Sequence, residues 1–286
     1  MIRRLIPLAA MAMLATGAAP AAAPIRATPP APRRIVSVNL CADQLVLDLA
    51  DRGQIAGLSR NAADPSLSAA ARRAAGLNIM RDSAETLLIA DPDMIVAIPK
   101  RLGGALAALR AQHYRTVDAP SAESYAAIAE QLRQVGAAVG HPERARAIVA
   151  RMDAVLAKVP RDVGRGRVAA YYQRRGYMTG TGTLIDDLMT RLGLVNLAAR
   201  LGKPPLSQLS LEEIVAAKPD FLIMESATAT VTDQGTEMLH HPALRGIARL
   251  WIPQAWTVCG SPEYVLAARS LARQIRAVDG GARRRH

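Results

Sequence analysis

Two stretches of the chain carry the same order of polar and apolar positions. Ser83-Ala-Glu-Thr-Leu-Leu-Ile-Ala-Asp-Pro-Asp-Met-Ile-Val96 and Ser210-Leu-Glu-Glu-Ile-Val-Ala-Ala-Lys-Pro-Asp-Phe-Leu-Ile223 align without a gap. Each reads as a short helix capped by Ser, with an acid in the first turn where the positive end of the macrodipole favours it. Pro then ends the helix, and three apolar residues follow as a buried strand. The offset of 127 residues is far longer than a solenoid period, so it predicts two similar domains. Only the second copy has Glu at the capping-box position, Glu213. The shared acids, Glu85 and Glu212, sit one residue earlier and are not needed for capping. Their repetition sets a paired role against plain surface charge.

Around the copies, short apolar runs alternate with helical periodicity. Strands are predicted at 34–38, 55–58, 94–98 and 114–117, with helices after Asn39 and before Gln112. Helices over 121–139 and 142–159 follow, the second with Ile148, Val149, Met152, Val155, Leu156 and Val159 on one face. At 1.5 Å per residue that second rod is about 25 Å long, enough to run from one lobe to another. Beyond it the pattern restarts: strand 167–172, a Gly-rich loop, helix 184–192, the second copy, strand 250–253 and a helix over 261–278. Strands with little internal alternation, separated by helices, predict an α/β fold with parallel sheets covered on both faces. The expected layout is an N-terminal lobe at 33–120, linking helices at 121–160 with a spine at 142–159, and a C-terminal lobe at 166–280.

Composition narrows the function classes. Of the 286 residues, half are hydrophobic but only 3% aromatic, so the cores must be aliphatic. The net charge of +12 falls to about +7 once Arg3, Arg4 and the terminal arginines 283–285 are set aside. A basic chain with one Phe and two Trp offers no stacking platform for nucleic acid. Residues 1–21 read as a cleavable secretory signal, with Arg3-Arg4, an apolar run too short to span a bilayer, and Ala19-Pro-Ala21 as the cleavage site. No Cys follows it to take a lipid. A periplasmic protein in an oxidising compartment is expected, where its two cysteines are able to pair.

The chain resembles the substrate-binding proteins of bacterial importers for ferric siderophores, haem and cobalamin. The resemblance is carried by Arg34-Ile-Val-Ser, the two Ser-x-Glu…Pro-Asp segments, Tyr177-Met-Thr-Gly, and Leu239-x-His-Pro-Ala-Leu244. It implies two lobes, a helical spine that limits hinge motion, and a metal-chelate ligand held between the lobes. It also implies that Glu85 and Glu212 dock on arginines of the inner-membrane permease of an ABC importer. A monomer with no cofactor, no resident metal and no catalytic residues is the corresponding expectation.

Ligands of open parallel sheets bind beyond the carboxyl ends of the strands. That rule selects Asn39 and Cys41, Arg60 and Asn61, Lys100 and Arg101, Arg174, Arg175 and Tyr177, Glu225, Trp256 and Cys259, and alignment with the family adds Ile79 or Met80, of which Met80 is taken. The aromatic lining of the vitamin B12-binding members is mostly replaced, with Asn61, Ile98 and Leu206 at such places and Tyr177 and Trp256 kept. The arginines favour a carboxylate- or phosphate-bearing ligand, which they read bidentately. For Cys41 and Cys259 three readings stand in order: two separate thiols, a bridge formed across the cleft on closure, and thiolates touching a metal chelate. Two rival classes compete with this one. A direct transition-metal binder needs converging ligands, and the five histidines form no spaced set. An enzyme on a Rossmann-like scaffold finds only Gly180-Thr-Gly182-Thr, with Ile185 where a third Gly belongs.

Overall fold

The computed structural model describes residues 30–81, 83–98, 114–118 and 120–283. In chain order the first half holds β1 (Ile35–Ser37), α1 (Leu40–Leu49), β2 (Ile55–Gly57), α2 (Ala71–Ala74), α3 (Ala84–Ala90), β3 (Met94–Ala97) and β4 (Arg115–Asp118). Two helices follow, α4 (Tyr125–Ala138) and α5 (Pro142–Leu156). The second half holds β5 (Val168–Tyr171), β6 (Tyr177–Thr179), α6 (Leu184–Arg191), β7 (Val195–Asn196), α7 (Leu197–Arg200), β8 (Leu206–Gln208), α8 (Leu211–Ala217), β9 (Phe221–Glu225), α9 (Gln234–Glu237), β10 (Ala248–Ile252) and α10 (Tyr264–Arg283). The signal segment 1–21 and the helix expected before Gln112 lie outside the described residues.

Two separate parallel sheets form, ordered β2-β1-β3-β4 and β7-β5-β9-β10. The two orders correspond position for position, so the duplication seen in the sequence extends to a whole four-stranded unit. Each copy also solves its local problems in the same way. Ser83 Oγ accepts the Thr86 N–H at 3.2 Å, and Ser210 Oγ accepts that of Glu213, also at 3.2 Å. Glu213 returns the bond to the Ser210 N–H at 2.8 Å, completing the expected capping box. The helices stop two residues before Pro, at Ala90 and Ala217. Asp91 (φ 43°) and Lys218 (φ 47°) take left-handed C-cap conformations, because the residue before Pro is disfavoured in the right-handed region. The paired Asp residues after Pro then clamp the neighbouring strand. Asp93 accepts the N–H groups of Arg33 and Arg34 ahead of β1 at 2.7 and 3.0 Å, and Asp220 accepts that of Val168 at the start of β5 at 2.7 Å.

The halves are not packed as independent cores. One apolar cluster includes Ile35, Leu45 and Val96 of the first half, Leu132 of α4, Ile148 and Met152 of α5, and Phe221, Ile223 and Leu271 of the second. α5 is 15 residues, about 22 Å long, and its helix closes at Leu156, ahead of the expected end at Val159. Polar ties at the joint are explicit. Asp187 on α6 accepts from the Tyr125 N–H at 3.1 Å and from the Tyr264 hydroxyl at 2.6 Å, while Tyr125 donates its own hydroxyl to Asp153 at 2.5 Å. Glu123 caps α6 through the Leu184 N–H at 3.1 Å. The antiparallel pair β6–β8 and the two-residue β7 were not legible as strands in the sequence.

On α1, Asp48 accepts from Arg73 at 2.5 Å with a side chain only 10% exposed, and its Oδ2 has no hydrogen-bond partner. Burial outweighs the guanidinium and pushes this carboxyl from 3.8 up to about 7. The native state therefore holds the proton more tightly than the unfolded chain does. Stability contributed here falls as pH rises from about 4 to about 7 and is level above that. Asp48→Asn keeps an acceptor for Arg73 and removes the buried charge. It should be more stable than wild type at pH 8 by about 3 kcal/mol, and by clearly less at pH 5. Denaturant melts at the two pH values check this; a gap that does not change with pH sinks it.

Candidate ligand cleft

The carboxyl ends of β5, β9 and β10 open onto a cavity of about 580 Å³. Gln173 and Arg174 follow β5, Glu225 ends β9 with Thr228 just beyond, and Gln254 follows β10. Tyr177 and Leu206 reach it from the β6–β8 pair, and Ser66 from the first half. A second cavity of about 210 Å³ shares Gln173, Glu225 and Gln254 and adds Glu123, Tyr171, Thr179, Thr183 and Thr257. A third, of about 60 Å³, lies at the junction of the halves, lined by Cys41, Ile98, Gln131 and Cys259.

Polar groups dominate this lining, and they are ordered. Glu225 is 7% exposed, and its Oε1 accepts from Gln173 Nε2 at 2.9 Å and from the Tyr171 hydroxyl at 3.3 Å. Thr179 donates to Gln173 Oε1 at 3.4 Å, which fixes the amide with its NH₂ toward Glu225. Burial, and after it the Glu225 charge, raises the Tyr171 phenol well above the usual range, so it stays a donor. Arg174 lines the outer cavity, but its guanidinium is paired with Asp233, the N-cap of α9.

The structure distributes the residues selected by the strand-end rule unevenly. Arg174, Tyr177 and Glu225 meet at the outer cavity, and Cys41 and Cys259 at the junction. Asn39 spends its side chain capping α1, accepting the Ala42 N–H at 3.0 Å. Arg60 is exposed and Asn61 half-buried, and neither lines these cavities. Met80 is buried over β2, filling the space above Gly57, where an added Cβ would lie 2.4 Å from its sulfur. Arg175 is exposed at φ 58° in the turn before β6, and Trp256 packs partly buried against the shared core. Lys100 and Arg101 lie outside the described residues. The arginine-based case for an anionic ligand thus loses its support at Arg174, whose charge already has a partner. Gln173, Gln254 and the threonines were missed, although two of them directly follow strands; uncharged side chains gave the sequence reading no signal.

The cysteine reading needs correction. Cys41 and Cys259 are joined by a disulfide, with Cα atoms 5.3 Å apart. Separate thiols and thiolate contact with a ligand, the first and third readings, are therefore excluded. The expected gap is missing because the cysteines sit at the floor of the cleft, where the halves already touch. Gly260 permits this approach: a Cβ there would fall 2.5 Å from that of Ala122.

Glu85 and Glu212 are both exposed, each in the first turn of its helix. Its own N–H and the Ser210 hydroxyl hold the Glu212 carboxyl below its ordinary range, so it is charged at neutral pH.

Two duplicated parallel-sheet units, a helical link and a polar cavity at strand ends are the elements of this fold. A family model described as periplasmic binding protein matches residues 35–248, and the chain belongs to that family. Among curated relatives, the cobalamin-binding protein of Halobacterium salinarum is 26% identical over 197 residues, 67% of this chain and 53% of that protein. The chain thus spans about half the length of the curated relatives it matches. Solved structures share the fold. The periplasmic heme-binding protein RhuT of Roseiflexus sp. RS-1 superposes with a TM-score of 0.68 at 22% identity, covering 85% of this chain and 97% of that one. The vitamin B12 binding protein BtuF of Vibrio cholerae gives 0.65 at 15%, covering 87% and 98%. The sequence-level resemblance and the two-lobe α/β expectation both hold. No described helix is long and apolar enough to cross a membrane.

Proposed function

We propose that this chain is the extracytoplasmic receptor of an ATP-driven importer, capturing a metal chelate between its lobes and handing it to the permease. The observation that carries this reading is the cleft: strand ends of the second lobe, helped by Ser66 of the first, surround about 580 Å³ of cavity with fixed polar groups. That is the size and character of a small-molecule site. The relatives named above as binding haem, vitamin B12 and cobalamin support a chelate as cargo. Glu85 and Glu212 serve as the docking acids, one on each lobe, and the receptor acts as a monomer. No bond is made or broken; binding favours whichever lobe arrangement holds the ligand more tightly.

The test is identification of the cargo. Protein purified from its own periplasm should carry, in native mass spectrometry, an added mass that contains a metal, together with the visible absorption of a chelate. A bound sugar, amino acid or peptide in its place, with no chelate, would refute the proposal.

A further inference from the structure

We infer that Glu225 selects the charge of the cargo, so that the receptor takes chelates presenting N–H donors or a positive group to the cleft floor and rejects those presenting carboxylates. This deepens the receptor reading above and rests on it. Both cavities of the cleft meet at Glu225, so any ligand reaching the floor faces this carboxylate. Only Oε1 is used within the protein, by Gln173 and Tyr171. Oε2 has no donor among the described residues, and the side chain is 7% exposed at the cleft. A carboxylate oxygen that keeps a free acceptor toward the cleft, in a side chain otherwise nearly buried, offers a ligand N–H or cation a charge-assisted bond. A ligand carboxylate at the same place meets a like charge in a low-dielectric pocket. Arg174 does not reverse the balance, because Asp233 neutralises it. The rest of the inner cavity's polar lining includes the amides and hydroxyls of Gln173, Gln254 and Thr257 and a second carboxylate, Glu123, which accepts from the Leu184 N–H and adds to the negative charge. The lining also argues against a flat apolar macrocycle, since Tyr177 is the one aromatic among the described residues of the outer cavity.

Three chelates separate the possibilities: cyanocobalamin, which is neutral and rimmed with amides; ferrioxamine B, a ferric hydroxamate with a free ammonium; and haemin, with two carboxylates. Binding is followed by tryptophan fluorescence and by calorimetry on the mature full chain. Wild type should bind cyanocobalamin or ferrioxamine B more tightly than haemin. Glu225→Gln should lose about 10- to 100-fold on the preferred probe, the range expected for a charge-assisted bond, with haemin unchanged or improved. Glu225→Asp keeps the charge and should keep the order of preference, which separates charge selection from damage to the fold. Wild-type preference for haemin, or Glu225→Gln binding the preferred probe as wild type does, overturns the inference and leaves a chelate receptor standing. Failure of all three to bind wild type overturns the inference, and the cargo found by native mass spectrometry then decides the receptor reading separately.

Discussion

Reducing the Cys41–Cys259 bridge, or replacing both residues with Ser, is expected to lower the unfolding temperature by roughly 10–20 °C. The bridge joins residues 218 apart, nearly the whole described chain, and so removes a large share of the conformations open to the unfolded state. Loop-closure entropy for a ring of that size is worth about 5 kcal/mol in the chain-entropy model. In a chain of this length each kcal/mol moves the midpoint by about 2–4 °C. Calorimetry with and without a reductant, beside the double Ser variant, measures this. A shift under about 3 °C would mean that the packing of Gly260 on Ala122 and the shared core already restrain the same motion without the covalent link. The position of the bridge matters as much as its ring size. It ties the start of α1 to the segment ahead of α10, at the floor of the cleft.

Reversing the charge of Glu85 and Glu212 together, each to Lys, is expected to abolish import of the cargo and leave its affinity for the receptor unchanged. Both acids are exposed and stand on helices outside the cleft lining, so the cavity geometry does not depend on them. Separated charges of this kind steer and orient an encounter, and a like-charge contact in the docked state costs several kcal/mol. Each single reversal should give an intermediate loss, because the lobes present the same element twice. Uptake of labelled cargo in cells expressing the importer, set beside equilibrium binding to the purified receptor, separates the outcomes. Loss of binding together with uptake would move the glutamates from docking to ligand contact, and full uptake by the double variant would leave them as surface charge.

The architecture was legible because the duplication repeats local signals that each have a physical cause: a Ser cap, an acid in the first turn, a Pro, and an apolar strand. What the sequence hid was long-range. Asp93 and Asp220 read as parts of a Pro-Asp turn, and only the sheet order reveals that each clamps an adjacent strand. The left-handed Asp91 and Lys218 were hidden behind the Pro that follows them. The β6–β8 pair escaped because three-residue strands leave no periodicity to count. In the cleft, the strand-end rule pointed to turns in both halves but could not choose side chains within them. It favoured Arg174 for its charge, whereas the structure gives that charge to Asp233 and leaves the floor to Glu225, Gln173 and Gln254. Cys41 and Cys259 were assigned to opposite walls. Two segments more than 200 residues apart gave no sign that they touch.

Because Ile148 and Met152 of α5 lie in the cluster that both halves share, each sheet needs the link to cover one of its faces, while its other face packs within its own half. A fragment cut at the joint would yield neither a half-receptor nor a smaller domain, only a sticky remnant. A change of cargo therefore has to arise by altering turns such as 173–177 and 225–228 on an intact frame, and not by trading one lobe for another.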